Sequence, residues 1–554
     1  MTAPGQPPAI YARGLCVSVP GARGDRLLLD HVSLAIEAGS FTGLIGPSGC
    51  GKSTLLTALA GIRPVSAGEL WVGGSPVHSL RREFPLVMGY LPQFAAFHDA
   101  LTVRETLQYA AALRLPRSVS LQQRKSWLDQ IVALARLDGF YDQPCRTLSG
   151  GQRRRVALAE ELIGDPQFLF LDELTSGLDP HAEEEMMHWL AQLTGATGKT
   201  IVLVTHAVRN LPLCDSILFM HEGRLLYRGG YDALLSQCAA SNIEEVYRDA
   251  ALGIHAQEPP EFPAPAPQPL RTAKPPGGMA QMPALISRQG KLLWRDRGQL
   301  WLQIVLLFTF PALVTVFASS GLPQVRNLPL ALDSNVLRTL TEQLYYLKES
   351  FHAASLISGL TMFQVILLTL MGANNGAREI AKERGVLDKE LRAGLSPWAY
   401  LTLKCGLVGL FSLAQALWMS VFVKYGCAFP GSLALQFAVL FLATLAMSVT
   451  CLAISAFSPS PERASLLSIY LVGLQLPLSG AILALPETVR WLTRPVISAY
   501  WGWSGYLRTL EATRHYDVVR EVTNATLAPY SVCLAVLLLH SVIALAVVRR
   551  FVSR

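Results

Sequence analysis

Hydrophobic positions come in short, interrupted runs over the first 250 residues and in long unbroken runs after residue 300. In the first part, brief apolar runs alternate with mixed, helix-like stretches, the rhythm of an α/β domain. Phe41–Gly46 reads as a strand running into a glycine-rich loop, with a helix from Lys52 to Gly61. Phe168–Leu171 and Ile201–Val204 are short β-type runs suited to buried parallel strands. Ser216–Arg228 reads as a hairpin turning at Glu222-Gly223.

Six later segments each offer about 20 largely apolar residues, the length that crosses a bilayer. They are Leu300–Ser319, Ala353–Ala373, Cys405–Val423 (in a helix from about residue 400), Ser432–Phe457, Ala464–Leu485 and Leu527–Val548. None contains Asp, Glu, Lys or Arg. One such run would fit a buried helix of a soluble protein; six together do not. Between the halves, residues 253–283 carry nine prolines and no apolar periodicity, which predicts an extended linker. The expected domains are therefore 1–252, the linker 253–283, and a membrane domain at 284–554.

Composition agrees: 51% of the 554 residues are hydrophobic and only 16% charged. The net charge of +7 is modest, and no basic block with interleaved aromatics suggests nucleic acid. Nine cysteines show no C-x-x-C and no His/Cys cluster at metal-ligand spacing. Met1–Pro8 is polar with no apolar run behind it, so no signal peptide is expected and the first domain stays in the cytoplasm. An even number of spans puts both ends of the chain on one side. Arg288, Lys291, Arg295, Arg297, Arg549 and Arg550 flank the outermost spans on that side. Arg490, Arg494, Arg508, Arg514 and Arg520 fall in predicted outer loops, so the positive-inside bias is moderate.

Chemistry concentrates in the first domain. Gly46-Pro47-Ser48-Gly49-Cys50-Gly51-Lys52-Ser53, followed by Thr54, links a strand to a helix. Such a loop turns backbone N–H groups onto phosphate oxygens, Lys52 adds a point charge, and the Ser53 hydroxyl suits Mg2+. Asp172 ends an apolar strand, where its carboxylate can reach the same Mg2+, and Glu173 beside it can polarise a water. Taken singly, these two acids could be solvated loop charges, His206 a structural histidine and Gln93 a surface glutamine.

The four motifs in order, the phosphate loop, Leu148-Ser149-Gly150-Gly151-Gln152, Phe168–Glu173 and Thr205-His206, resemble an ATP-binding cassette (ABC) ATPase. The fold class implied is an α/β P-loop NTPase followed by an all-α polytopic membrane domain of six transmembrane helices. The resemblance makes Gln93 the Q-loop residue on Mg2+, His206 the switch histidine, and Ser176-Gly177-Leu178-Asp179 the D-loop. It also implies that ATP is held between Lys52, Asp172 and Glu173 of one cassette and Ser149, Gly150, Gly151 and Gln152 of another. Each motif occurs once, so the chain is expected to act as a dimer, homodimer or heterodimer. The family usually stacks adenine on an aromatic upstream of the loop, where Val19 stands here; Leu174 stands where proline is common.

Cassette first and six spans second resembles the G subfamily of half-transporters. Ala377–Gly385 and Gly394-Leu395-Ser396-Pro397 are similar to its cytoplasmic coupling loop, and Met282–Arg297 to its amphipathic connecting helix. The 42-residue interval Pro486–Leu527 fits its external loop, with Trp491, Tyr500, Trp501, Trp503 and Tyr506 suiting either a membrane interface or packing within the loop. Met362, Phe363, Leu474, Gln475 and Leu478 become cavity-lining positions by the same analogy, or lipid-facing and packing ones. Asn524-Ala525-Thr526 is a glycosylation sequon. His540 is the one ionisable residue deep in a span, read as a neutral histidine bonding across helices. The expected function is ATP-driven export of a hydrophobic or amphipathic molecule across the cytoplasmic membrane. The rival is a mechanotransmission protein that moves no cargo, which would need a sizeable folded external domain.

Overall fold

The computed structural model describes residues 9–21, 24–177, 179–206, 208–238, 240–249, 270, 274–318, 336–481, 485–523 and 527–552. Met1–Pro8, Leu178, most of the proline-rich stretch and Asn524-Ala525-Thr526 lie outside these residues. The chain divides into two compact units, Met1–Arg288 with Gly385–Ser396, and Gln289–Arg384 with Pro397–Arg554.

The first unit is built on a six-stranded sheet. Its order is Arg224–Gly229, Ser216–His221, Phe41–Ile45, Thr200–Val204, Phe168–Asp172 and Met88–Leu91, all parallel except the first. Phe41–Ile45, Phe168–Asp172 and Thr200–Val204 are buried along their whole length, as parallel strands covered on both faces must be. Their register sets Leu44 and Asp172 opposite Val204. The carboxyl ends of three strands therefore share one edge, where ligands of open α/β sheets bind. The hairpin turns at Glu222-Gly223, both at positive φ, as the sequence predicts. A second, antiparallel sheet runs Arg26–Ile36, Ile10–Val19, Ala67–Val72 and Ser75–Pro76.

Residues Gly385–Ser396 fold into this first unit through buried charge. Lys389 Nζ donates to Glu160 Oε2 at 2.6 Å and to the Ala96 carbonyl at 3.0 Å. Arg288 pairs with Glu390, and the Gln281 amide bridges the Leu113 and Gly394 carbonyls at 3.2 and 3.1 Å.

Among the described residues of the second unit, five helices are long and apolar enough to cross a membrane: Arg297–Phe317, Val336–Gly376, Pro397–Gly426, Leu433–Phe457 and Tyr530–Val552. The expected span Ala464–Leu485 coincides in its first part with the helix Pro461–Leu478, which carries Glu462 and Arg463 in its first turn. Pro477 removes a backbone donor near its end and Gly480 turns left-handed two residues past it, while residues 482–484 of the expected span lie outside the described residues. The linker is also shorter than read, because a helix already runs from Gly278 to Arg295 and accommodates Pro283. It stops at Asp296, whose carboxylate caps the next helix by accepting the Gln299 N–H at 3.2 Å.

Three buried amides tie the spans together. Gln303 donates to Asn375 Oδ1 at 3.0 Å, Asn375 to Gln415 Oε1 at 2.8 Å, and Gln415 back to Gln303 Oε1 at 2.9 Å. Mutual satisfaction is what makes such groups tolerable away from water. The Pro486–Leu527 interval forms the helices Glu487–Thr493, Ser498–Arg508 and Arg514–Thr523. Tyr500, Trp503 and Tyr506 lie in the core of this unit, while Trp491 is 83% exposed, so packing accounts for the first three. His540 Nε2 sits 2.6 Å from the Pro495 carbonyl, which can only accept, so that nitrogen carries the hydrogen.

Candidate nucleotide site

The phosphate loop leaves the strand Phe41–Ile45 and enters the helix Lys52–Leu59. Gly46 and Gly51 have φ of 146° and 101°, and a Cβ there would meet the Met220 carbonyl at 2.2 Å and the Leu28 carbonyl at 2.9 Å. Only glycine fits both. Lys52 is 6% exposed, and its Nζ donates to the Gly46 and Pro47 carbonyls at 2.8 and 2.9 Å. The Gly46 N–H donates in turn to the Tyr247 hydroxyl at 3.1 Å, a contact sequence reading missed. Cys50 is buried, and that burial pushes its thiol up.

Across the edge, Ser53 Oγ donates to Asp172 Oδ1 at 3.0 Å. Burial pushes the Asp172 carboxyl up and the neighbouring Glu173 charge adds to it, while the Ser53 bond and Lys52 oppose the shift. Glu173 has φ of 49°, an uncommon conformation for a non-glycine residue, fixed by its N–H bond to the Val204 carbonyl at 3.0 Å. Its carboxylate accepts from Gln93 Nε2 at 2.6 Å and faces His206 Nε2 at 3.3 Å. The expected residues thus make three sets of contacts near the strand ends: Lys52 on its own loop's carbonyls, Ser53 with Asp172, and Gln93 and His206 with Glu173. Hydroxyl, carboxylate and amide oxygens are the donor set that a hard cation such as Mg2+ takes.

Lys52, Ser53, Glu173 and His206 border a cavity of about 490 Å3, lined also by Ser48, Gly49, Gly51 and Thr54, whereas Gln93 and Asp172 do not line it. Arg26, Leu27, Leu28, Glu222 and Gly223 complete its wall. Val19 does not line it, but pairs with Arg26 across the hairpin, so the apolar contact at this wall comes from Leu27, 49% exposed. The signal for Leu27 was the hairpin pairing itself, Ser18 to Leu27, which runs across the sheet and is invisible to motif spacing.

Ser149, Gly150, Gly151, Gln152 and Asp179 do not line that cavity. They form two capped helix starts instead. Ser149 Oγ accepts the Gln152 N–H at 3.3 Å, and Gln152 Oε1 accepts the Ser149 N–H at 2.9 Å, a reciprocal cap for the helix Gly150–Leu162. Asp179 caps Pro180–Thr197 by accepting the Ala182 N–H at 2.9 Å, the bond that chiefly lowers its carboxyl. Cys16, Asp30 and His31 bring ligand-type atoms within 4.8 Å of one another, a cluster the spacing did not reveal. Asp30 is already hydrogen-bonded to His31 at 2.7 Å and ion-paired with Arg224 at 2.6 Å, which occupies its carboxylate.

Both halves of the chain resemble known proteins. Residues 29–176 match the family described as ABC transporter, and residues 280–500 the family described as ABC-2 type transporter. The ABC transporter ATP-binding/permease protein Rv1747 of Mycobacterium tuberculosis is 29% identical over 88% of this chain, which spans 56% of that relative's length. The Nod factor export ATP-binding protein I of Rhizobium meliloti is 36% identical over 42% of this chain and 68% of its own. The dimeric structure of MJ0796, a bacterial ABC transporter cassette, aligns with a TM-score of 0.36 and 25% identity over 40% of this chain and 98% of that one. The chain belongs to the ABC transporter family, with its nucleotide-binding cassette first and an ABC-2 type membrane domain after it.

Proposed function

We propose that this chain is an ATP-driven half-transporter, pairing with a second copy or a close relative to export a hydrophobic or amphipathic molecule across the cytoplasmic membrane. One observation carries the reading. The phosphate-loop cavity gathers Lys52, Ser53, Glu173 and His206 but none of Ser149–Gln152, so each ATP needs the signature of another cassette.

Within that closed site the roles divide by chemistry. Backbone N–H groups of the phosphate loop and Lys52 hold the β- and γ-phosphates, which pulls Lys52 from its two carbonyl partners. Ser53, Asp172 and Gln93 are the residues that would hold Mg2+, which supplies charge neutralisation on the phosphate oxygens when bound. Glu173 orients the attacking water and takes its proton as the γ-phosphorus–oxygen bond to ADP breaks, a contribution of about 10²–10⁴ in rate. Its positive φ and its contacts to Gln93 and His206 aim that carboxylate. Gly385–Ser396, seated on Glu160 and Ala96 of the cassette unit, would transmit closure to the membrane helices. Glu160 lies on the helix that begins at the signature.

Two further observations support transport over a purely regulatory role. Relatives bear names of export proteins. The Pro486–Leu527 interval contributes Trp503 and Tyr506 to the membrane unit's own core, where a signalling protein would be expected to carry a separate external domain. The test is ATP-dependent accumulation of an amphipathic dye in inside-out vesicles. Uptake abolished by Glu173→Gln supports export, and hydrolysis with no cargo moved from a panel of amphiphiles contradicts it.

A further inference from the structure

The wall of the nucleotide cavity is made of two kinds of residue. Lys52, Ser53 and Thr54 bring phosphate-binding groups, whereas Arg26, Leu27 and Leu28 come from the antiparallel strand Arg26–Ile36. That strand is fastened to the phosphate loop. A Cβ on Gly51 or on Gly223 would meet the Leu28 carbonyl at 2.9 Å, so the three backbones touch with no side chain between them. The Asp30 N–H donates to the Gly223 carbonyl at 2.9 Å, and the Gly223 N–H to the Cys50 carbonyl at 3.0 Å. Arg26 stands two residues before Leu28, about 6–7 Å back along an extended strand. A ribose gives a nucleotide a comparable reach between its phosphate and its base.

Nothing else in the fold engages Arg26. It is exposed, and its guanidinium makes no hydrogen bond or ion pair among the described residues, Glu222 of the same wall included. Val19, its cross-strand partner, has no ring to offer a base. Leu27 beside it, 49% exposed, adds apolar surface to the same wall. A guanidinium is planar, delocalised and weakly hydrated, so it stacks on the face of a π-system where an ammonium would stay in water.

We infer that the nucleobase stacks on Arg26, with its ring face on the guanidinium plane and Leu27 as apolar contact beside it. The inference rests on the reading of this cavity as the ATP site and assigns the part of it that the phosphate loop leaves open. Every base has a π-face, so a contact of this kind reads the ring and not its edge groups. The site therefore takes purine nucleoside triphosphates with little regard to the base. Arg26 sets how much more tightly they bind than a bare triphosphate.

The test is equilibrium binding to the purified full-length protein, with Mg2+, of inorganic tripolyphosphate and of the β,γ-imido analogues of ATP and GTP, which do not turn over. The two analogues are expected to bind within about threefold of each other, and both more tightly than tripolyphosphate. Arg26→Ala weakens both analogues by about three- to tenfold, the range of cation–π contacts between exposed and desolvated sites. It leaves tripolyphosphate unchanged, which also reports an intact phosphate loop. Arg26→Tyr, which supplies a ring in place of the guanidinium, keeps or tightens nucleotide binding. Unchanged nucleotide affinity in Arg26→Ala overturns the subsite. Tripolyphosphate binding lost in Arg26→Ala and not restored in Arg26→Tyr makes Arg26 a phosphate ligand and overturns it equally. A preference of about tenfold or more for either base puts recognition on the base edges and overturns the face contact. Wild-type protein that binds none of the three ligands would remove the ATP site and this subsite with it, a failure distinct from unchanged affinity in Arg26→Ala.

Discussion

The Tyr247 hydroxyl accepts the Gly46 backbone N–H at 3.1 Å, bracing the entry to the phosphate loop from a helix at the far end of the cassette. Tyr247 is itself held edge-on against Phe219, with ring centroids 5.5 Å apart. Removing the hydroxyl leaves a loop donor unmade, a loss of about 1–3 kcal/mol if water cannot replace it. Tyr247→Phe should therefore weaken MgATP binding about tenfold while turnover at saturation changes little. Titration of a fluorescent ATP analogue checks this, and unchanged affinity would show that the contact does not shape the loop.

Lys389 and Glu160 form a buried pair at 2.6 Å, with side chains 7% and 5% exposed. Removing Lys389 leaves the buried Glu160 carboxylate with Arg114 alone, at 3.6 Å, a loss of up to about 3–5 kcal/mol, while replacing both partners of such a pair by apolar residues is often neutral. Lys389→Ala should lower the thermal unfolding midpoint, and Lys389→Met with Glu160→Leu should recover most of it. If the pair also transmits closure, the apolar double variant keeps hydrolysis but loses part of the vesicle uptake. Equal midpoints for all three proteins would contradict the burial argument.

Cys50 gives a pH-dependent readout of the same loop. Burial raises its thiol above the ordinary value of 9.0, only partly offset by Lys52 and nearby N–H groups. A raised thiol is protonated at neutral pH, so less thiolate is available than on a free cysteine. Alkylation by iodoacetamide, followed on the Cys50 peptide by mass spectrometry, should be slow at pH 7 and accelerate as pH rises past 9. MgATP should slow it further. Fast, pH-independent labelling at pH 7 would contradict both the burial and the direction of the shift.

Legibility in the sequence followed the range of the interactions. The phosphate loop, the strand end at Asp172 and the cap at Ser149 are local, so each carries its signature in a few adjacent residues. The Gln93–Glu173 contact depends on the pairing of Met88–Leu91 with Phe168–Asp172, which aligns Leu91 with Leu171. Tyr247 lies 201 residues from Gly46 and carries no motif at all. In the membrane half, hydropathy located five spans, because length and apolarity are properties of the segment itself. It ran past the helix Pro461–Leu478, where Pro477 removes a backbone donor and Gly480 turns left-handed while apolar composition continues. Trp503 could not be assigned from composition, since an interface and a core demand the same ring. Its N–H, 3.3 Å from both the Ser358 carbonyl and hydroxyl, belongs to the core.

On the proposed reading, two chains share two nucleotides, and Glu173→Gln isolates that state. Native mass spectrometry of the full-length variant after incubation with MgATP counts chains and bound nucleotides in one measurement. Two chains holding two intact ATP molecules are expected, since loss of the base slows hydrolysis about 10²–10⁴-fold. A single chain, or ADP in place of ATP, would contradict the shared site and the role of Glu173.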